Sequence, residues 1–179
     1  MQTASPLTID DFERLPDELA INHELEDGKL VEVSGNTLIH NRLRDAFISL
    51  LREYVRKNGL GEIVSEQEFD FGGNAHGPDV SFFGPQKLGL CEALWRVQRF
   101  VPDLAIEIVS ENDTFKRLVK KADRYRKCGT AEAWIIDPGS RTAFLYSDAL
   151  DTILRENGIF QSSLIPGFSI RLGDLFDQL

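Results

Sequence analysis

Leu104-Ala105-Ile106-Glu107-Ile108-Val109 is a near-continuous apolar run with one carboxylate inside it. A short run of this kind, opened by Pro102-Asp103, has the composition of a strand. A strand that is apolar on both faces belongs inside a sheet covered on both sides. A one-sided layer would leave half of these side chains in water. The same argument isolates Glu107, because burying a carboxylate without compensation is costly. It needs a cation or a metal. An ion pair with Lys121 or Arg124 is the structural reading, and a ligand role is the chemical one.

The remaining segments supply the cover. Asp27-Gly28 lies between two alternating stretches, 23–26 and 29–33, and predicts a two-residue hairpin. Thr8 caps a short helix over 8–15, with Asp10 and Asp11 in its first turn. Over 37–57, Ile39, Leu43, Phe47, Leu50, Leu51 and Tyr54 recur at helical spacing, and Asn58-Gly59 supplies the stop. Strands are expected over 62–71 and 80–83, then a connection over 85–99 with a short helix around 90–95. A second helix over 111–128 buries Phe115, Leu118, Val119, Ala122 and Tyr125, with Gly129 at its C-terminal cap. Strands over 132–136 and 142–146 join at Pro138-Gly139. A further edge over 153–155 and a closing helix over 172–179 complete the reading. The class is α/β (α+β), a sheet with helices packed on it. A length of 179 residues is that of one domain. Residues 1–35, the first helix and hairpin, extend its core.

Charge and motifs narrow the chemistry. The net charge of −9 speaks against a generic basic coat for nucleic acid or anionic lipid. Locally the balance reverses: seven Lys and Arg lie between Lys116 and Lys127 against one acid, Asp123. No run of about 18 apolar residues exists, so no membrane span is expected. The start, MQTASPLTIDDFERLPDEL, has no apolar secretory region. The two cysteines, Cys91 and Cys128, form no metal-binding pattern. A reduced, cytoplasmic setting follows, in which Asn112-Asp113-Thr114 matches the glycosylation pattern by chance. The glycine-rich stretch Gly72-Gly73-Asn74-Ala75-His76-Gly77 lacks the GK[ST] of a phosphate-binding loop and reads as a plain loop. His23, His40 and His76 show no zinc-site spacing, and no serine sits in a nucleophile elbow.

What remains is acidic and sits on strands. Asp79 opens the strand 80–83 and reaches Glu107 from a different strand. Asp103 shares a strand with Glu107 but lies four residues away, about 13 Å at the usual rise. Two carboxylates from neighbouring strands suit Mg²⁺, which takes few protein ligands and keeps waters and substrate phosphate in its shell. Asp103 is expected to tie down a turn instead. Lys121 flanks the apolar stripe of the second helix, three residues from Leu118 and four from Tyr125. Its stem lies along buried surface and its ammonium can reach the sheet. Arg117 lies one turn earlier.

Several stretches together resemble a family. They are Gly77-Pro78-Asp79-Val80, the run from Pro102 to Ser110, Lys121-Ala122-Asp123-Arg124-Tyr125, Gly129, and Ala133-Trp134-Ile135-Ile136-Asp137-Pro138. In this order they resemble a bacterial Uma-type family of restriction-endonuclease-like proteins within the PD-(D/E)XK nuclease superfamily. His23 to Leu30 resembles its opening hairpin, His40 the histidine entering its first long helix, and Ile165-Pro166-Gly167-Phe168 its closing motif. The resemblance spans almost the whole chain. It implies a restriction-endonuclease-like core, a central mixed sheet flanked by helices with an N-terminal hairpin. Asp79 matches the first acid and Glu107 the second. The superfamily places a lysine two residues after the second acid. Here Val109 stands in that place, and the resemblance points to Lys121 on the next helix. Glu24 is a further acid carried by the hairpin. Ser110-Glu111 replaces the family's usual serine-proline.

The implied activity is endonucleolytic hydrolysis of nucleic-acid phosphodiesters. Asp79 and Glu107 would hold Mg²⁺, or Mn²⁺ in its place. Lys121 and Glu24 would complete the catalytic group, and Arg117, Lys120, Arg124 and His40 would contact the substrate. DNA is the expected partner, bound weakly and with strong salt dependence because the body of the protein is acidic. A homodimer is expected by analogy with other nucleases of this class. Two other functions fit the same residues: a catalytically silent binding or assembly domain, and a metal-dependent hydrolase of smaller phosphate esters.

Overall fold

The structure is a computed structural model that describes residues 5–33, 37–110 and 114–177. The chain begins with α1 (Ile9–Glu13), α2 (Asp17–Ala20), the hairpin β1 (His23–Glu26) and β2 (Lys29–Glu32), and the long helix α3 (Leu38–Asn58). It continues through β3 (Glu62–Val64), β4 (Glu68–Asp70), β5 (Ala75–His76) and β6 (Val80–Phe83), then a 3₁₀ turn at Pro85–Leu90 and β7 (Val97–Gln98). Then come β8 (Leu104–Ile108), α4 (Phe115–Lys127), β9 (Glu132–Asp137), β10 (Thr142–Ser147) and β11 (Thr152–Leu154). It closes with β12 (Ile159–Phe160), β13 (Ile170–Arg171) and α5 (Leu172–Phe176).

The main sheet has the order β11-β10-β9-β8-β6-β3, so β8 is interior as its apolar run requires. Only β8 and β9 within it are parallel, and α4 is the crossover that parallel neighbours need. A second sheet, β2-β1-β5-β4-β7, is built on the N-terminal hairpin. Asp27 and Gly28 both take positive φ (50° and 76°), the backbone of the expected tight turn.

One face of the main sheet carries α3. Leu43, Phe47, Leu51 and Val55 bury a stripe at four-residue spacing against Val80, Phe82, Leu104, Ile106 and Trp134. Ile39, expected in that stripe, is exposed; it precedes the part of α3 that overlies the sheet. On the other face, Leu118 and Ala122 of α4 pack on Ala133 and Ile135. Tyr125 of the same helix packs near Ala105. Phe115 is exposed, although its ring meets Phe144. The closing motif is structural: Ile165 and Phe168 are buried, and Gly167 (φ 82°) passes under the Tyr54 hydroxyl. A Cβ at Gly167 would stand 2.5 Å from that hydroxyl.

Two expectations need correction. The stretch 62–71 is not one strand, because Glu66 takes φ 52° and the chain leaves the main sheet after β3 to join the second sheet as β4. The short helix expected around 90–95 is replaced by the earlier turn at Pro85–Leu90. The last residues of the expected closing helix, 178–179, lie outside the described residues, as do Glu111 and the Asn112-Asp113 part of the chance sequon. Among the described residues, no helix is long and apolar enough to cross a membrane.

Candidate active site

Strand register builds the centre. β6 and β8 pair Val80 with Ile106, Ser81 with Ala105 and Phe82 with Leu104. One step further sets Asp79 opposite Glu107. Directly opposed residues share a face with Cβ atoms about 5 Å apart. The Ile108 N–H donates to Asp79 Oδ2 at 2.7 Å, and His40 Nε2 lies 3.1 Å from Oδ1. Thr37 caps α3 by accepting from the His40 N–H, which places His40 in the first turn of that helix. Burial pulls the His40 proton affinity down, but the Asp79 carboxylate outweighs it and the net shift is upward.

Glu107 is buried, at 6% exposure. The Tyr125 hydroxyl donates to its Oε1 at 2.5 Å, and Lys121 Nζ lies 3.0 Å from the same oxygen. Burial raises its pKa to about 7, with Asp79 and Glu24 adding to the rise while Lys121 and Tyr125 oppose it. Tyr125 is itself pushed well up, by burial and by the carboxylates around it.

The hairpin delivers a third carboxylate. Lys121 Nζ stands 3.0 Å from Glu24 Oε1, so the ammonium bridges Glu24 and Glu107. The Gly77 N–H donates to Glu24 Oε1 at 3.2 Å, and Arg117 approaches Oε2 at 3.7 Å. Burial alone would raise Glu24, but Lys121 and His76 hold it well below the usual carboxylate range. Burial works against the Lys121 charge, yet Glu107 and Glu24 together push its pKa upward, so the ammonium keeps its proton.

Glu24, His40, Asp79, Glu107, Arg117 and Lys121 line one cleft of about 690 Å³. Two expected substrate contacts, Lys120 and Arg124, are not among the residues lining it. Lys120 pairs with Glu26 at 2.9 Å. Arg124 donates to Asp27 and Asn74 at 3.0 Å each. Both cations hold α4 to the hairpin, and the acids of β1 and its turn offset their charge.

Sequence reasoning missed three contributors. Tyr125 was assigned to packing alone, although its four-residue spacing from Lys121 puts both on one helix face. His76 sits in the stretch read as a plain loop. Glu68 lines the cleft, its carboxyl raised to about 8 by burial, with Arg96 opposing and Glu24 and Glu13 adding to the rise.

Asp103 lies elsewhere. It accepts from the Gly84 N–H at 2.8 Å and pairs with Lys87 at 2.6 Å, fastening the turn after β6. Asp103→Ala is expected to cost about 1–3 kcal/mol in urea denaturation, since it strands a backbone donor and an ammonium. Ion binding in the cleft should not change; a parallel loss there would contradict this placement.

The carboxylates of the cleft form a donor set of a kind that suits a hard divalent ion. Among the described residues, no group of three His, Cys, Asp or Glu side chains is compact enough to enclose a metal. Two opposed carboxylates fit Mg²⁺, which binds through one or two of them and keeps its waters. Burial is the main cause of the rise at Glu107, and the repulsion from Asp79 that adds to it is what a divalent ion between the two would relieve.

A family model described as Uma2, "Putative restriction endonuclease", matches residues 9–173. The chain is similar to the crystal structure of a nuclease, described as putative and belonging to DUF820, from Anabaena variabilis ATCC 29413. The TM-score is 0.85 at 24% identity, covering 97% of this chain and 99% of that one. A weaker likeness, TM-score 0.41 at 19% identity, links 74% of this chain to 10% of a chain in a cryoEM structure of a DrdV–DNA complex. No curated protein sequence matches.

Proposed function

The chain belongs to the Uma2 family of restriction-endonuclease-like proteins, and on that footing we propose that it is a Mg²⁺-dependent endonuclease acting on DNA. One observation carries the reading: Asp79 and Glu107 face each other across neighbouring strands, with Lys121 Nζ 3.0 Å from Glu107 at a cleft. Asp79 and Glu107 would hold the ion. Bound there, a divalent cation activates water and offsets charge gathering on the phosphate.

The chain's own groups do the rest. Lys121 keeps its proton, so it serves as a fixed positive charge beside the phosphoryl oxygens and not as a base. Glu24 holds that charge in place. Tyr125 orients Glu107 through its 2.5 Å hydrogen bond. Arg117, on the cleft wall, would meet a neighbouring phosphate.

Supercoiled plasmid with Mg²⁺ or Mn²⁺ tests this directly. Wild type is expected to nick or linearise it, and Asp79→Asn to lower the rate about 10²–10³-fold, the scale for losing a preorganised electrostatic contact. Because binding would rest on cations meeting phosphates, it should fall with added salt. Absence of cleavage on duplex and single-stranded DNA, together with no heat of ion binding, would sink the proposal. The competing reading, a silent binding domain, draws on the Asp79 hydrogen bond to the Ile108 N–H, which is structural in kind. It predicts that Asp79→Asn unfolds the protein more readily and leaves ion affinity absent in both forms.

A further inference from the structure

The glycine-rich stretch 72–77 matches no phosphate-binding pattern, yet it carries two buried polar side chains, Asn74 and His76, and His76 reaches Glu24 of the site. His76, on β5, is fully buried. Its Nε2 lies 3.0 Å from Nη1 of Arg124, and its Nδ1 lies 3.1 Å from Oε2 of Glu24. A guanidinium can only donate hydrogen bonds. Nε2 must therefore accept, and the one proton of a neutral imidazole is left on Nδ1, facing Glu24.

The surroundings agree. Burial, Lys121 and Arg124 lower the proton affinity of His76 against the pull of Glu24, which keeps the ring neutral. Nδ1 and Oε2 are both buried, and neither has a hydrogen bond elsewhere. Their 3.1 Å approach falls short of ideal alignment, as catalytic contacts often do before substrate binds. Arg124 is itself held still. Asn74 Oδ1 and Asp27 Oδ1 each accept from it at 3.0 Å, and the Asp27 N–H donates to the same Asn74 oxygen at 2.8 Å.

We propose that His76 is a positioning residue: Arg124 selects its Nδ1–H tautomer, and the ring orients the Glu24 carboxylate that holds Lys121 beside Glu107. The effect on cleavage rests on the nuclease reading above. The tautomer and the orientation do not. A carboxylate–histidine pair set by a third group is a known way to fix a ligand or charge in one geometry.

The test uses ¹⁵N-labelled protein and long-range ¹H–¹⁵N correlation of the imidazoles, with the His76 signals assigned by their loss in H76N. Wild type is expected to show a protonated Nδ1 and a bare Nε2 at neutral pH. R124L removes the donor to Nε2 while Glu24 still accepts from Nδ1, so the bare Nε2 signal should move to that of a ring nitrogen without a hydrogen bond. In plasmid cleavage, H76L should lower kcat about 10–100-fold, the scale of second-layer changes around metal sites, with KM nearly unmoved. H76N places an amide N–H where Nδ1–H stood and should recover most of that loss.

An Nε2–H ring in wild type, an unmoved Nε2 signal in folded R124L, or H76N as impaired as H76L would each overturn the proposal. If R124L loses its near-UV circular dichroism, the comparison of H76N with H76L decides. If wild type cuts no DNA, the wild-type tautomer decides alone, so failure of the nuclease reading and failure of this one remain separate.

Discussion

Lys121→Met is expected to destabilise the protein by about 3–5 kcal/mol at pH 7, the range for removing one partner of a buried ion pair. The ammonium is the shared cation of Glu24 and Glu107, 3.0 Å from each. Without it, two buried carboxylates face each other with no compensating charge between them. Methionine fills the volume of the stem, so the loss reports charge rather than packing. The variant should regain part of its stability on acidification, because the stranded carboxylates can then take up protons. Urea denaturation followed by the fluorescence of buried Trp134 measures both effects. A loss below about 1 kcal/mol would mean that the network is no stronger than a surface pair. Cleavage should fall together with stability, and Lys121→Arg separates the two. It restores the charge but not the point-like ammonium that fits between two oxygens.

Glu107→Gln is expected to act in the opposite direction on stability while abolishing ion binding. Glu107 has its folded pKa raised to about 7 from an ordinary 4.5. A carboxyl raised in this way is protonated in both states below about pH 4.5, where folding carries no penalty. Between there and pH 7 the unfolded chain gives up the proton while the folded one keeps it, so stability falls as pH rises. Above pH 7 the full penalty persists. Glutamine removes the ionisation and still accepts from Tyr125, so the variant should gain roughly 1–3 kcal/mol over wild type at pH 8 and little at pH 4. Glu24 contributes the reverse slope: its pKa is lowered, so its stabilisation holds above the ordinary carboxylate range and fades in acid. Mg²⁺ or Mn²⁺ should raise the melting temperature of wild type and leave Glu107→Gln unmoved. Equal stabilisation of both by the ion would remove Glu107 from the ion site.

Legibility followed the range of the interaction. The Asp27-Gly28 turn, the Thr8 cap and the α3 and α4 stripes depend on residues a few positions apart, and local sequence exposes them. Glu107 stood out because a charge inside an apolar strand is anomalous wherever the rest of the chain goes. Lys121 followed from its place beside the α4 stripe. The fates of Lys120 and Arg124 could not be read in this way. Their partners Glu26 and Asp27 are 94 and 97 residues away, so a count of cations along the helix cannot show which are already offset. His76 was hidden for the same reason, since its meaning comes from Glu24 and Arg124 on two other elements. The break at Glu66 was missed because a left-handed backbone at a glutamate leaves no mark on hydropathy.

The hairpin has a consequence for the life of the chain. Glu24 and Lys121 lie 97 residues apart, and Asp79 and Glu107 fall between them. A ribosome therefore releases the acids well before the lysine that makes their burial tolerable. During synthesis the emerging polypeptide cannot close the Lys121 bridge between Glu24 and Glu107 until α4 has left the exit tunnel. Loop-closure entropy over such a span delays the contact further. On the proposed nuclease reading this order would make a fragment harmless: a truncated or stalled product ending before Lys121 would carry the carboxylates without the ammonium beside them.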